Sequence, residues 1–298
     1  MSDILLLISG NNEKPLTSLD IAKLKNILNH HNISFGSENW LCPEKAIEIN
    51  EIKNITIDIQ RQISKTFHNN EIDVFSVSSL NRRKKLLLAD MDATIVKGET
   101  LDDLAECAGI KNKIAPITER AMRGEIDFQA ALIERVAMLE NIPLSKLLET
   151  RDAIVINKGA QDVISVMRKF GAECYLVSGG FTFFTEDIAQ KCGFNGHHGN
   201  KLDMIEGCLS GRVIPPILDK DSKLSFLNTY IKKLNINPAQ SMAVGDGAND
   251  IPMLQGAGLG VGYHPKPLVQ EKINNCIVHT DLTSLLYIQG YTWQDIAI

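Results

Sequence analysis

Asp90 and Asp92 stand two apart at the end of an apolar run, Leu86-Leu87-Leu88-Ala89. Side chains two apart on extended backbone point to one side, where two carboxylates need a cation or a shared proton. The run has the composition of a buried parallel strand, and open α/β sheets bind ligands just beyond the carboxyl ends of such strands. A lone D-x-D is equally well explained as capping of the next helix. Three later clusters tip that balance. Ser178-Gly179-Gly180 closes one strand and opens a helix, offering a hydroxyl and unhindered backbone N–H groups suited to a phosphate oxygen. Lys223, just inside a helix begun by Asp219 and Asp221, can supply a point positive charge to the same phosphate. Gly245-Asp246-Gly247-Ala248-Asn249-Asp250 ends a further strand and gathers carboxylates again. Asp90, Asp92 and Asp246 together offer oxygen ligands to one hard cation. Magnesium fits best, because it takes few carboxylates, keeps waters and bridges to phosphate.

These residues need elements that bring them to one edge. From residue 86 onward, strands at 86–90, 173–178, 241–245, 258–262 and 275–279 are separated by helical segments, the pattern of a Rossmann-like parallel sheet in an α/β fold. The first interval carries helical stretches at 100–109, 111–123, 127–140 and 144–151, whereas a crossover needs one helix. The surplus, about 97–155, reads as a helical cap inserted after the first strand and able to exclude water. A hairpin is expected over 195–214. Ahead of the sheet, strand 4–9, helix 16–31, strands 33–41 and 46–52, helix 55–67 and strand 72–78 follow the order β-α-β-β-α-β. That order predicts a small α+β ferredoxin-like N-terminal domain over 1–80, with 81–298 as the second domain. No catalytic constellation lies in the first unit.

Composition removes other classes. The chain has 298 residues, 44% of them hydrophobic, and a formal net charge of -5, which argues against nucleic acid or an anionic membrane as partner. The one basic run, Arg82-Arg83-Lys84-Lys85, reads as a solvated linker that deters aggregation of the strand behind it. Six cysteines without C-x-x-C spacing predict reduced thiols and no zinc cluster. No stretch resembles a signal peptide or a membrane span, so a soluble cytoplasmic protein is expected.

The four strand-end motifs, together with Glu99, the stretch Arg120 to Phe128 and Glu134-Arg135-Val136, resemble the haloacid-dehalogenase-like phosphotransfer superfamily and, within it, the phosphoserine phosphatases. The resemblance covers about 81–290. It implies magnesium-dependent hydrolysis of O-phospho-L-serine, the final step of serine biosynthesis, through an aspartyl-phosphate on Asp90. Asp92 would be the general acid and base. Magnesium would sit on Asp90, Asp246 and the backbone carbonyl of Asp92, with Asp250 supporting its waters. Ser178, Gly179, Lys223 and Asn249 would hold the phosphoryl group. Glu99 would accept from the substrate ammonium, Arg135 would pair with its carboxylate, and Met122 and Phe128 would form apolar walls. Two departures stand out, Ala93 where the family usually has Ser and Ala89 where an aromatic residue is common. The N-terminal unit resembles amino-acid-sensing (ACT-like) regulatory domains, with serine feedback or homodimerisation through it as a hypothesis. Transfer of the phosphoryl group to another alcohol such as homoserine is the alternative activity; a non-catalytic amino-acid-binding regulator would have no use for the full set of carboxylates.

Overall fold

The computed structural model describes residues 2–10, 13–123 and 125–297, with the side chains of Met122 and Lys220 outside that description. The chain begins with β1 (Asp3–Ser9), α1 (Ser18–His30), β2 (Glu38–Cys42), β3 (Ala46–Ile52), α2 (Ile57–Phe67) and β4 (Ile72–Ser78). Thr17 starts α1 through a capping box: its hydroxyl accepts from the Asp20 N–H, and the Asp20 carboxylate accepts from the Thr17 N–H. The four strands form an antiparallel sheet in the order β2-β3-β1-β4. Of residues 33–37, expected as strand, Ile33 instead seals the end of α1, its N–H donating to the Leu28 carbonyl and its side chain buried, while Ser34, Gly36 and Ser37 exchange backbone hydrogen bonds with Lys53 and Asn50 ahead of β2.

The second unit starts with β5 (Leu86–Ala89), followed by four helices, α3 (Thr100–Cys107), α4 (Lys111–Met122), α5 (Phe128–Ala137) and α6 (Leu144–Ala153). Then come α7 (Ala160–Lys169), β6 (Glu173–Phe181), α8 (Thr182–Cys192), the hairpin β7 (Gly196–Ile205) and β8 (Cys208–Ile214), α9 (Lys220–Lys233) and β9 (Ser241–Gly245). The chain closes with α10 (Ile251–Gly256), β10 (Leu259–Tyr263), α11 (Pro267–Lys272), β11 (Cys276–Ile277), α12 (Ser284–Ile288) and α13 (Trp293–Ile296). The sheet order is β11-β10-β9-β5-β6-β7-β8, parallel except for the β7–β8 hairpin. Successive crossovers leave β5 toward opposite sides, so a crevice opens at its carboxyl end. Among the described residues no helix is long and apolar enough to cross a membrane. All six cysteines are free.

β1 is apolar from Ile4 to Ile8 and buried on both faces there. Leu5 and Leu7 pack with α1 and α2, whereas Ile4, Leu6 and Ile8 join a cluster that runs into the second unit through Leu87, Leu282 and Leu285. The two sheets therefore share a core. Asp73 of β4 reinforces the junction: its buried carboxylate accepts from the N–H groups of Val278, His279 and Thr280 and from the Thr280 hydroxyl at 2.7 Å. Those N–H groups turn toward Asp73, and β11 stops at Ile277, short of the expected 279. Asn275 adds a pair of hydrogen bonds to the Ser76 backbone.

The basic run is no solvated linker. Arg82 pairs with Glu48 and donates to the carbonyls of Tyr287 and Ile288. Arg83 lies over the Tyr291 ring and pairs with Asp295. Lys84 is buried, donates to the Ala239 carbonyl at 2.8 Å, and is pulled down by burial to about 8. Four consecutive basic side chains look solvent-bound in sequence. Here three of them meet carboxylates, helix-end carbonyls and aromatic faces supplied by distant segments.

Candidate active site

Asp90 follows β5, with its N–H donating to the Val244 carbonyl of β9 at 3.0 Å. Its Oδ1 accepts from the Met91 N–H and from Lys223 Nζ at 2.7 Å, and no described residue donates to Oδ2. Lys223 also bonds Asp250 Oδ1 at 2.6 Å and is only 3% exposed. Two buried carboxylates thus share one ammonium. Burial and the Asp250 charge push the Asp90 carboxyl well above the ordinary range, against the pull of Lys223. Burial opposes the charge of Lys223, but Asp250 and Asp90 together hold its ammonium above the usual lysine range.

Asp246 follows β9. Ligand oxygens of Asp90, Asp246 and Asp250 all lie within 4.8 Å of one another, and all three residues are buried. The donor set is all-carboxylate oxygen, the chemistry of a hard divalent ion. Asp250 has little left to give such an ion, because Oδ1 meets Lys223 while Oδ2 accepts from the N–H groups of Asp246 and Gly247. Gly245 makes this arrangement fit: a Cβ there would lie 2.5 Å from the Asp250 carboxyl carbon. Three carboxylates gathered in this way, with Lys223 between two of them, form an acidic cluster that suits a metal ion.

The Asp92 side chain turns away from that trio. Its Oδ1 accepts from the Thr100 N–H at 2.8 Å and its Oδ2 from the Ser178 hydroxyl at 3.1 Å. Gly180 leaves room for this pair, since a Cβ there would lie 2.9 Å from Asp92 Oδ2. Asp92 is thereby held by the first residue of α3 on one side and by β6 on the other. Between them Ala93 adopts a left-handed backbone (φ 51°), and its N–H donates to the Gly98 carbonyl at 2.8 Å. That bond is made by backbone alone, so alanine in place of serine leaves it intact.

Asp90, Asp92, Glu99, Phe128, Arg135, Ser178, Gly179, Asp246 and Asn249 line one cavity of about 190 Å³, too small for more than a compact metabolite. Its roof comes from the insertion. Glu99 precedes α3, and burial together with the Asp92 charge raises its carboxyl. Arg135 comes from α5; burial lowers its pKa against the pull of Asp102, Glu99 and Asp92, and its Nε is buried with no hydrogen-bond partner. An unpartnered guanidinium N–H in a cavity calls for an anionic acceptor. Phe128 lies over Gly179, where an added Cβ would come within 3.1 Å of its ring. Lys223 and Asp250 stand behind Asp90 rather than on the cavity wall. The Met122 side chain, expected as a wall, lies outside the described residues.

Lys266 also lines the cavity, and the motif reading passes over it. Its Nζ lies 3.1 Å from Asp246 Oδ2 and 3.4 Å from Glu99 Oε1. A usable signal was present, because Pro265-Lys266-Pro267 follows the strand expected at 258–262 and so belongs to the same sheet edge. Thr100, Leu101, Leu132, Gly180 and Phe181 complete the lining. The Thr100 hydroxyl is buried without a partner.

The sequence model of the haloacid dehalogenase-like hydrolase family matches residues 87–255, which include β5, the insertion, β6 and β9 with Asp246 and Asp250. The chain belongs to the haloacid dehalogenase-like hydrolases. A phosphoserine phosphatase of Mycobacterium tuberculosis is 37% identical over 71% of this hydrolase, which spans about half of that relative, 52% of its length. A solved haloacid dehalogenase-family hydrolase from Salmonella enterica serovar Typhi superposes with a TM-score of 0.84 at 25% identity, covering 96% of this chain and 97% of that one. A solved phospho-aspartyl intermediate analogue of phosphoserine phosphatase is 36% identical with a TM-score of 0.64. It covers 69% of this hydrolase and 98% of that chain.

Proposed function

We propose that this hydrolase releases phosphate from O-phospho-L-serine in a magnesium-dependent reaction through an aspartyl-phosphate on Asp90. The observation that carries this reading is that Glu99 and Arg135, both from the helical insertion, line the same cavity as Asp90 and Asp92. A phosphate pole and an amino-acid pole then face each other within one small space. The named relatives agree with the reading, and the insertion, about 97–155, acts as the cap.

Asp90 attacks phosphorus in line through the carboxylate oxygen that accepts no hydrogen bond. As the new P–O bond forms, the bond to the serine oxygen breaks and Asp92 gives that oxygen its proton. Asp92, now a carboxylate, takes a proton from water, whose oxygen attacks phosphorus. The P–O bond to Asp90 breaks, phosphate leaves, and both carboxyl groups are restored. Ser178 can give or accept a hydrogen bond, so its hydroxyl stays with Asp92 in both protonation states. Lys223 keeps one of its three donors for a phosphate oxygen, and Gly179 and Asn249 supply further donors to the phosphoryl group. Asp90, Asp246 and the Asp92 carbonyl would hold magnesium, with Asp250 holding that end of the site in place; the ion offsets the repulsion between carboxylate and phosphate. Glu99 takes the substrate ammonium, Arg135 its carboxylate, and Phe128 keeps water from those pairs.

The domain division belongs to the same proposal. Residues 1–80 form a ferredoxin-like unit and 81–298 the phosphatase unit, consistent with the β2-β3-β1-β4 order of the first sheet. The test of the activity is phosphate release from phosphoserine, phosphothreonine, sugar phosphates and nucleotides with magnesium. Phosphoserine is expected to lead, Asp90→Asn to abolish turnover with the far-UV spectrum unchanged, and EDTA to silence the wild type. A clear preference for sugar phosphates or nucleotides would remove the roles given to Glu99 and Arg135.

A further inference from the structure

Two lysines serve the site, Lys266 on the cavity wall and Lys223 behind Asp90, and they differ in freedom. Lys223 is 3% exposed and fixed between two buried carboxylates. Lys266 is 52% exposed, and its ammonium spans the space between Asp246 and Glu99. Its backbone is pinned: the Lys266 N–H donates to the Asp246 carbonyl at 2.9 Å, and prolines on both sides restrict the chain. Only the four-carbon stem can swing. The two carboxylates it joins come from different parts of the molecule, Asp246 from the sheet and Glu99 from the insertion.

We propose that Lys266 is a specificity-determining residue, an internal cation that occupies the space between Asp246 and Glu99 until a metal ion and a ligand ammonium displace it. This rests on the phosphoserine reading for the identity of the ammonium. Glu99 shares the cavity with Asp92 and Asp246, whose charges disfavour an unpaired carboxylate there. Lys266 supplies the missing positive charge in the free protein. An arriving ammonium therefore exchanges one ion pair for another instead of meeting a bare carboxylate. Its net gain at Glu99 is reduced, and the site's demand for an amine is moderated. A divalent ion at Asp246 faces the same exchange.

The test compares Lys266→Met, Lys266→Arg and the wild type, with far-UV circular dichroism to verify folding. The specificity constants kcat/KM are measured for O-phospho-L-serine and for its deaminated counterpart, 3-phosphooxypropanoate. Both carry the same phosphate and carboxylate, so their ratio isolates the amine. Lys266→Met is expected to raise that ratio about five-fold, the scale of one half-exposed ion pair, and Lys266→Arg to keep the wild-type value. A ratio that stays constant or falls in Lys266→Met overturns the proposal. Magnesium-titrated thermal melts give a readout apart from turnover. Half-saturation should move to lower magnesium in Lys266→Met, because Asp246 Oδ2 loses its competitor; an unmoved midpoint overturns the displacement at Asp246. If the wild type hydrolyses neither compound, the phosphoserine reading fails, whereas the magnesium titration still decides whether Lys266 competes for the metal side.

Discussion

Arg135 shows how a single side chain can be short of something. It belongs to the insertion and lines the cavity, and its buried Nε has no hydrogen-bond partner among the described residues. A buried charge-bearing donor left unpaired is costly, and a ligand carboxylate would relieve that cost. Replacing Arg135 with alanine should therefore lower kcat/KM for phosphoserine by about 30- to 150-fold, the worth of a forked ion pair of about 2–3 kcal/mol. Phosphoethanolamine, which lacks the carboxylate, should lose far less, and equal losses for the two compounds would argue against the pairing. In sequence, Arg135 was only a basic residue beside Glu134, and the family resemblance gave it meaning. Lys266 had no such help. Its position after a sheet strand placed it at the correct edge, but the contacts with Asp246 and Glu99 arise only when the insertion folds over.

At the scale of elements, the carboxyl ends of β5, β6 and β9 bring the candidate site residues together, and close packing sets how they meet. Gly245, the last residue of β9, has no side chain because the Asp250 carboxylate occupies that space. Gly245→Ala should push Asp250 off Lys223 and off the N–H groups of Asp246 and Gly247, costing about 2–4 kcal/mol. Urea unfolding would measure the loss, and magnesium-dependent stabilisation should weaken with it. An unchanged urea midpoint would mean that Asp250 relocates freely. Strand and helix order was readable from apolar periodicity. At two misread points, Ile33 and the end of β11, a backbone N–H serves a neighbour rather than a ladder.

For the whole molecule, two couplings matter. The first joins the sheets through Asp73, whose carboxylate satisfies three consecutive backbone N–H groups of the distant 278–280 loop. Asp73→Ala strands those donors in a buried junction, and an expected loss of about 2–4 kcal/mol should appear as a lower urea midpoint. The second coupling is between metal, protons and stability. Asp90, Glu99 and Asp246 all have raised carboxyl pKa values, with burial as the first cause. The metal-free folded state then binds more protons than the unfolded chain, so these groups favour folding below the ordinary carboxylate range. That contribution is lost as pH rises through their raised values. Magnesium and protons compete for the same oxygens, so the gain in Tm from magnesium should be larger at pH 7.5 than at pH 5. A gain independent of pH would count against a carboxylate-bound ion.

The spacing of Asp90 and Asp92 behind an apolar strand, the Ser-Gly-Gly turn and the Gly-Asp-Gly-Ala-Asn-Asp run determined where the candidate site lies, because strand ends in a parallel sheet share an edge. Local periodicity likewise determined most elements, since burial on one face leaves its period in the sequence. Partnership across distance was decided only by the tertiary structure. It withdrew Asp250 behind Lys223, turned a basic run into a clasp, merged the two sheets into one core and stretched Lys266 between sheet and insertion. Charge and hydrogen bonding depend on which groups lie within a few ångströms, and residues far apart in the chain acquire that proximity only through folding.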